Sequence, residues 1–179
     1  MPRRNACFLL LLFAAGCVTR LHAQQDQSDP LTEEEVQQIR DNKTNPNERI
    51  KLYQKFIDQR LDAIKQLSGK GKSEREKDEV RAKLEEFTRL CDELQDNLDT
   101  YDAAHADIRK SLKDLVADTA KWPQALNLAG TDPSYDFARK TAAEAAQSAT
   151  DEARQMSVTQ DGYFQEHKDE RHKNGTGPS

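Results

Sequence analysis

Apolar side chains recur at alternating steps of four and three along residues 80–122. The series is Val80, Leu84, Phe87, Cys91, Leu94, Leu98, Tyr101, His105, Ile108, Leu112, Leu115, Thr119 and Trp122, with His105 and Thr119 its two polar members. An apolar period of 3.5 residues is a heptad pattern, and it predicts one long helix over about residues 74–121 with a narrow seam for partner helices. Ser73, with Glu76 three residues on, supplies a capping box at its start, and Pro123 is placed to end it. At about 1.5 Å per residue such a helix would measure about 72 Å. The alternative is a break near Thr100-Tyr101, which would fold the stretch into a compact four-helix bundle. The unbroken register favours the long spine.

The flanking segments read as helices with clear starts. Thr32 and Glu35 form a second capping box, with Leu31 and Val36 placed as a hydrophobic staple, and open a short helix carrying Val36 and Ile39. Asn45 as cap, Pro46 at the first position and Glu48 open the next helix. Its stripe is Ile50, Tyr53, Ile57, Leu61, Ile64 and Leu67, widened by Leu52, Phe56 and Ala63. A face that broad needs two neighbours. The Gly69-Lys70-Gly71-Lys72 turn after it lacks the Walker spacing of a phosphate loop.

Residues 124–132 read as a loop. Asp132-Pro133 then opens a last helix carrying Tyr135, Ala138, Ala142, Ala145 and Ala149. A row of alanines buries little area, so this helix is expected to be held less firmly. It is expected to run past Met156 and Val158 to about Gln160, where Asp161-Gly162 interrupts it, with Tyr163 and Phe164 adding a final contact. The scarcity of breakers, 7 Gly and 6 Pro, supports helix throughout. The fold class expected is therefore all-α. It is an antiparallel bundle built on the long spine, with the second helix along the spine's first half and the last helix along its second. The single domain spans residues 31–164, after a flexible lead-in at 24–30 and before a disordered charged tail at 165–179.

The first 23 residues read as an export signal. Arg3 and Arg4 precede an apolar run over residues 7–18, too short for an ordinary membrane span, and Leu21-His22-Ala23 offers a cleavage site before Gln24. A competing reading takes Ala14-Ala15-Gly16-Cys17 as a lipoprotein signal with Cys17 lipidated, although Ala14 stands where such motifs carry Leu. Either way the expected location is outside the cytoplasm, periplasmic or secreted, with no membrane insertion after cleavage. Removing Arg3, Arg4 and Arg20 takes the net charge from −5 to −8. An acidic chain without a basic patch argues against nucleic acid and anionic membrane as partners. Simple cleavage leaves Cys91 as the remaining cysteine, so helix packing alone must hold the fold.

Candidate chemistry is sparse. Asp102 and His105 form a carboxylate-x-x-His step of the kind dimetal bundles use twice, but here there is one copy. Asp92, Asp96, Asp99 and Asp102, with Glu93 beside them, make an acidic strip for calcium or a basic partner, although helical carboxylates lack the loop geometry calcium favours. The other reading of both features is a seam histidine and a solvated face. Cys91 sits on the seam 14 residues from His105, about 21 Å along one helix, which leaves it a buried hydrophobe rather than a nucleophile. His167 and His172 lie in the tail. No Gly-x-Ser-x-Gly, Cys-x-x-Cys or Rossmann fingerprint occurs.

The stretches LTEEEVQQIRDN, RIKLYQKFIDQRLDAI and EFTRLCDELQDNLDTYDAAHADIRKSLK resemble those of uncharacterised small exported helical proteins of soil bacteria. The resemblance covers roughly residues 31–113. It implies export and helices, and carries no catalytic motif and no assigned activity.

The function expected is that of a non-enzymatic exported helical protein, a structural or protein-interaction module of the cell envelope that needs no cofactor. The alternative is a metal- or small-ligand-binding bundle using Asp102, His105 and the acidic strip. A hydrolase with an unrecognised site is a third, weaker option. A two-helix cross-section cannot bury both the spine's seam and the broad face of the second helix, so a homodimer through that face is expected.

Overall fold

Thr32 accepts the Glu35 amide at 3.2 Å while the Glu35 carboxylate accepts the Thr32 amide at 2.8 Å, and this reciprocal cap starts α1 (Glu33–Asp41). Five more helices follow in the computed structural model, which describes residues 29–68, 73–127 and 130–170: α2 (Pro46–Ser68), α3 (Glu74–Ala103), α4 (Arg109–Thr119), α5 (Trp122–Asn127) and α6 (Asp136–Glu166). The chain is an all-α helical bundle, as its periodicity predicts. The segment read as an export signal, Cys17, most of the expected lead-in, the Gly-Lys turn, His172 and most of the expected tail lie outside the described residues. Among the described residues no helix is long and apolar enough to cross a membrane.

Side-chain pairs across the helices fix the topology. Arg49 meets Asn97, Tyr53 meets Glu93, and Arg60 meets Glu86, so α2 and α3 run antiparallel in one constant register. Ser111 bonds Asn47, Gln54 bonds Asp118, and Trp122 bonds Asp58, each pair 64 residues apart. The same constancy makes α4 and α5 parallel to α2, acting together as one broken helix. Gln95 with Ser148 and Asp102 with Gln160 set α6 parallel to α3. Packed neighbours are α2 with α3, α3 with α6, α6 with α4 and α5, and α4 with α2, while α1 lies on α2. The four rods close around one core, with Phe87 of α3 and Trp122 of α5 meeting edge to face across its centre at 5.8 Å.

The long helix over 74–121 is not formed, and the compact alternative is what the chain adopts. The break falls at Ala104-His105, a few residues beyond Thr100-Tyr101. His105 turns left-handed, with φ of 52°. The Ala106 amide then reaches back to the Tyr101 carbonyl at 2.9 Å and the His105 amide to the Asp102 carbonyl at 2.9 Å. This double bond pattern is a Schellman stop. The physical reason is local weakness on the seam: Ala103, Ala104 and the imidazole of His105 offer no large apolar knob there. After the turn Ile108, Leu112 and Leu115 are fully buried on a helix running the other way. A 3-4 spacing records which face is apolar and not the direction of travel, so the heptad register survives a reversal.

Two further boundaries differ from expectation. Pro123 lies in the first turn of α5, where its missing N–H is harmless, so it begins a helix instead of ending one. Asp161-Gly162 does not interrupt α6, which continues to Glu166. Gln160 and Phe164, on either side of Gly162, are both buried and hold the helix in place across it. The start of α6 also falls later than Asp132-Pro133. Asp132 first forms a turn, its carboxylate accepting the Ser134 amide at 3.0 Å and hydroxyl at 2.7 Å.

The alanine-rich face of α6 is buried through Ala138, Ala142, Ala145, Ala146, Ala149 and Ala153 and packs on α3, α4 and α5. The broad face of α2 is covered by α1, α3, α4 and α5 within the chain. The open apolar face from which a homodimer was expected is therefore occupied.

Candidate functional site

The acidic strip of α3 does not stay together. Tyr53 of α2 donates its hydroxyl to Glu93 at 3.2 Å, which commits Glu93 to the α2 side of the helix. Asp92, Asp96 and Asp99 are exposed, and Asp102 is half-buried. The last two border a groove between α3 and α6 of about 330 Å³, whose lining is Asp99, Asp102, Glu152, Gln155, Met156 and Thr159.

Glu152 is the residue the strip meets across that groove. Burial raises its carboxyl, the charge of Asp99 raises it further, a hydrogen bond with Gln95 works the other way, and Asp96 adds to the rise, leaving it at about 7. Asp92 is raised too, by burial and then by Asp96. One carboxylate oxygen of Glu152, Oε1, is buried without a hydrogen-bond partner, and so is Oε1 of Gln95. Gln95 spends one amide hydrogen on the Ser148 hydroxyl at 3.3 Å. The groove sets the carboxylates of Asp99, Asp102 and Glu152 beside the side chains of Gln155 and Thr159. A carboxyl of this kind changes protonation near neutral pH, where an ordinary glutamate does not.

Sequence reading missed Glu152. The available signal was its position at the edge of the α6 stripe, three residues after Ala149 and next to Ala153, where a carboxylate is drawn partly under the neighbouring helix.

Asp102 and His105 are not brought to a common centre. The Asp102 carboxylate takes a bond from Gln160 at 3.3 Å. The His105 ring lies on Tyr163, nearly parallel, with centroids 4.5 Å apart. Tyr163 also stacks on His167 at 4.2 Å and donates its hydroxyl to Glu170 at 2.7 Å. Two of the tail's polar residues are therefore ordered against the end of the bundle. Among the described residues no group of three or more His, Cys, Asp or Glu side chains has the arrangement to hold a metal ion. Cys91 is buried, and burial followed by the charge of Asp92 pushes its thiol well above the usual range, away from nucleophilic thiolate character.

Another ionic centre is internal. Arg60, 7 % exposed, grips both oxygens of Glu35 at 2.5 and 2.7 Å, the Glu86 carboxylate at 3.1 Å and the Pro30 carbonyl at 2.6 Å. Burial works to raise the Glu35 carboxyl, but the hydrogen bonds from Arg60 and Thr32 together with the guanidinium charge hold it below the usual range. Because Glu35 is also the capping residue of α1, this pair ties α1 to the α2–α3 seam. Its satisfied geometry marks it as structural.

A second concavity, of about 310 Å³, opens between α2 and α5, with Asp58, Asp62, Lys65 and Lys121 around a floor of Leu61, Trp122 and Ala125. Its carboxylates and ammoniums are engaged: Trp122 donates to Asp58 at 3.0 Å, Lys65 pairs with Asp62 and Lys121 with Asp118. Among the described residues, large exposed apolar side chains are confined to Phe137, 82 % exposed, and Val158. Phe137 stands beside Pro133, Asp136 and Lys140 in a shallow depression at the start of α6.

No family model matches the sequence, and neither curated proteins nor solved structures give a match.

Proposed function

We propose that this chain is a non-enzymatic exported helical protein that serves as a structural or protein-interaction module of the cell envelope. The observation that supports the reading is the closure of the core: among the described residues, the bundle buries or half-buries the large apolar side chains except Phe137 and Val158, and leaves charged helical faces outside. Phe137, beside Pro133 at one end of the bundle, is the natural anchor for a protein contact on such a surface. Export rests on the N-terminal signal and on the resemblance to small exported helical proteins. The mature chain then begins near Gln24, in the periplasm or outside the cell, or is held by lipid at Cys17.

A photo-crosslinking residue in place of Phe137, in cells exporting the full chain, tests the interaction. A discrete adduct at Phe137 that is missing when the crosslinker replaces exposed Lys110 supports it. Identical patterns from both positions, or turnover of a substrate by the purified chain, overturn it. Mass spectrometry of the exported protein decides between a free N-terminus at Gln24 and an acylated Cys17.

The groove at Glu152 favours one alternative, binding of a cation or small basic ligand by Asp99, Asp102 and Glu152 with His105 nearby in sequence. Calorimetric titration with calcium and with zinc distinguishes it. Stoichiometric heat that Glu152→Gln and Asp102→Asn both abolish would displace the interaction reading.

A further inference from the structure

The concavity between α2 and α5 carries a rim of mixed charge over an apolar floor. Asp58, Asp62 and Lys65 stand along one face of α2 at steps of four and three, with Lys121 and Gln124 on the α5 side. The bonds that engage this rim do not use up its groups. Asp118 is spent on both oxygens, by Lys121 at 2.7 Å and by Gln54 at 3.2 Å. Asp58 is not: Trp122 occupies Oδ1 at 3.0 Å, and among the described residues Oδ2 has no donor. Burial holds the Asp58 carboxyl above its usual range, although the indole bond and the charge of Lys121 both work the other way. A positive donor is still called for at Asp58. Lys121, next in the chain to Trp122, lies close enough to feel the charge of Asp58 and has donors to spare beyond its bond to Asp118. Gln124 adds a side-chain amide on the same side.

We propose that this groove binds a small zwitterion, an α-amino acid with an aliphatic side chain. Its ammonium donates to Asp58 Oδ2, its carboxylate accepts from Lys121 and Gln124, and its side chain lies on Leu61 and Ala125. The groove's volume of about 310 Å³ stands at the low end of the range for ligand pockets, about 300–1,000 Å³, and suits a ligand of that size. A bare cation meets Lys65 and Lys121, and a bare anion meets Asp58 and Asp62, so each is opposed where the zwitterion is matched. The indole bond fixes Asp58 before any ligand arrives, because Trp122 is fully buried. The groove shares no lining residue with the depression at Phe137, so it adds to the interaction reading without depending on it.

Trp122 is the chain's single tryptophan and bonds the carboxylate at the centre of the site, so it reports binding directly. Leucine is titrated into the purified chain while the emission of Trp122 and its indole N–H resonance are followed. A saturable shift with a midpoint of about 1 mM or below is expected. Isoamylamine, which lacks the carboxylate, and isocaproate, which lacks the ammonium, should each need at least about tenfold more. Asp58→Asn, which keeps an acceptor for the indole, and Lys121→Met should each weaken leucine binding by about tenfold. The absence of a saturable shift with leucine overturns the proposal. So does an equal response to isoamylamine, which would make the groove a plain cation site, and so does leucine binding unchanged in either variant. The ligand series on the wild-type chain gives an answer even where a variant fails to fold.

Discussion

The Ile108 amide donates to the side-chain oxygen of Gln160 at 3.2 Å, while the Gln160 nitrogen donates to the Ala106 carbonyl at 3.0 Å. One side chain of α6 thereby replaces two bonds of a helix ladder that the α3–α4 turn has broken. Gln160 is 2 % exposed, so water cannot take over these duties. Backbone groups at a buried chain reversal must find partners, and here a glutamine amide, with one donor end and one acceptor end, supplies both.

Gln160→Leu should therefore destabilise the chain by about 1–3 kcal/mol for each backbone group left bare. Gln155→Leu, an exposed position on the same helix, should shift stability by no more than about 0.5 kcal/mol. Urea unfolding of the two variants checks the contrast, and equal midpoints would show that the turn does not depend on Gln160.

His105 carries the left-handed turn at a cost that glycine avoids. His105→Gly and His105→Ala both remove the ring from Tyr163, but only alanine keeps the Cβ strain. The glycine variant should be more stable than the alanine variant by about 1 kcal/mol. The reverse order in thermal melts would mean that the α3 stop is not held in the left-handed conformation.

Leu94→Ala or Leu98→Ala should cost about 2–5 kcal/mol, since both leucines are fully buried on the α3 seam. Asp96→Ala, on the exposed strip, should cost far less. Comparable losses of melting temperature would place the seam elsewhere.

Arg60→Ala should cost about 3–5 kcal/mol, because it strands the buried Glu35 carboxylate, while Glu86 keeps Lys83 as a partner. The Glu35 carboxyl lies below its ordinary value of about 4.5, so its contribution is present above that pH and lost as pH falls through the folded value. Arg60→Met with Glu35→Leu should flatten this acid limb. An unchanged acid limb in the double variant would show that other carboxylates produce it.

The described chain should be a monomer by light scattering at micromolar concentration, with the compact radius of a four-rod bundle in small-angle scattering. The α2 face that called for a partner copy is covered within the chain. A dimer that Phe137→Asp dissolves would instead put self-association at the start of α6.

Helix identity and the buried faces were legible because both are local. The two capping boxes at Thr32 and Ser73, and the apolar rows of α2 and α3, follow from spacings of three and four residues, which the helical repeat enforces whatever the neighbours are. The seam series from Val80 to Trp122 is buried almost throughout, with His105 as its exposed member. The direction in which α4 runs was not legible, since an apolar face looks the same on a helix that continues and on one that turns back. That choice was made between distant groups: Gln160 satisfied the reversal at Ala106 and Ile108 from 54 and 52 residues away in sequence. The site divides the same way. Asp96, Asp99 and Asp102 were visible as a row, because they share one helix. Glu152, Arg60 and Gln95 took their roles only when another helix removed their water. Desolvation and the pairing it compels belong to the packed molecule, and a spacing rule does not contain them.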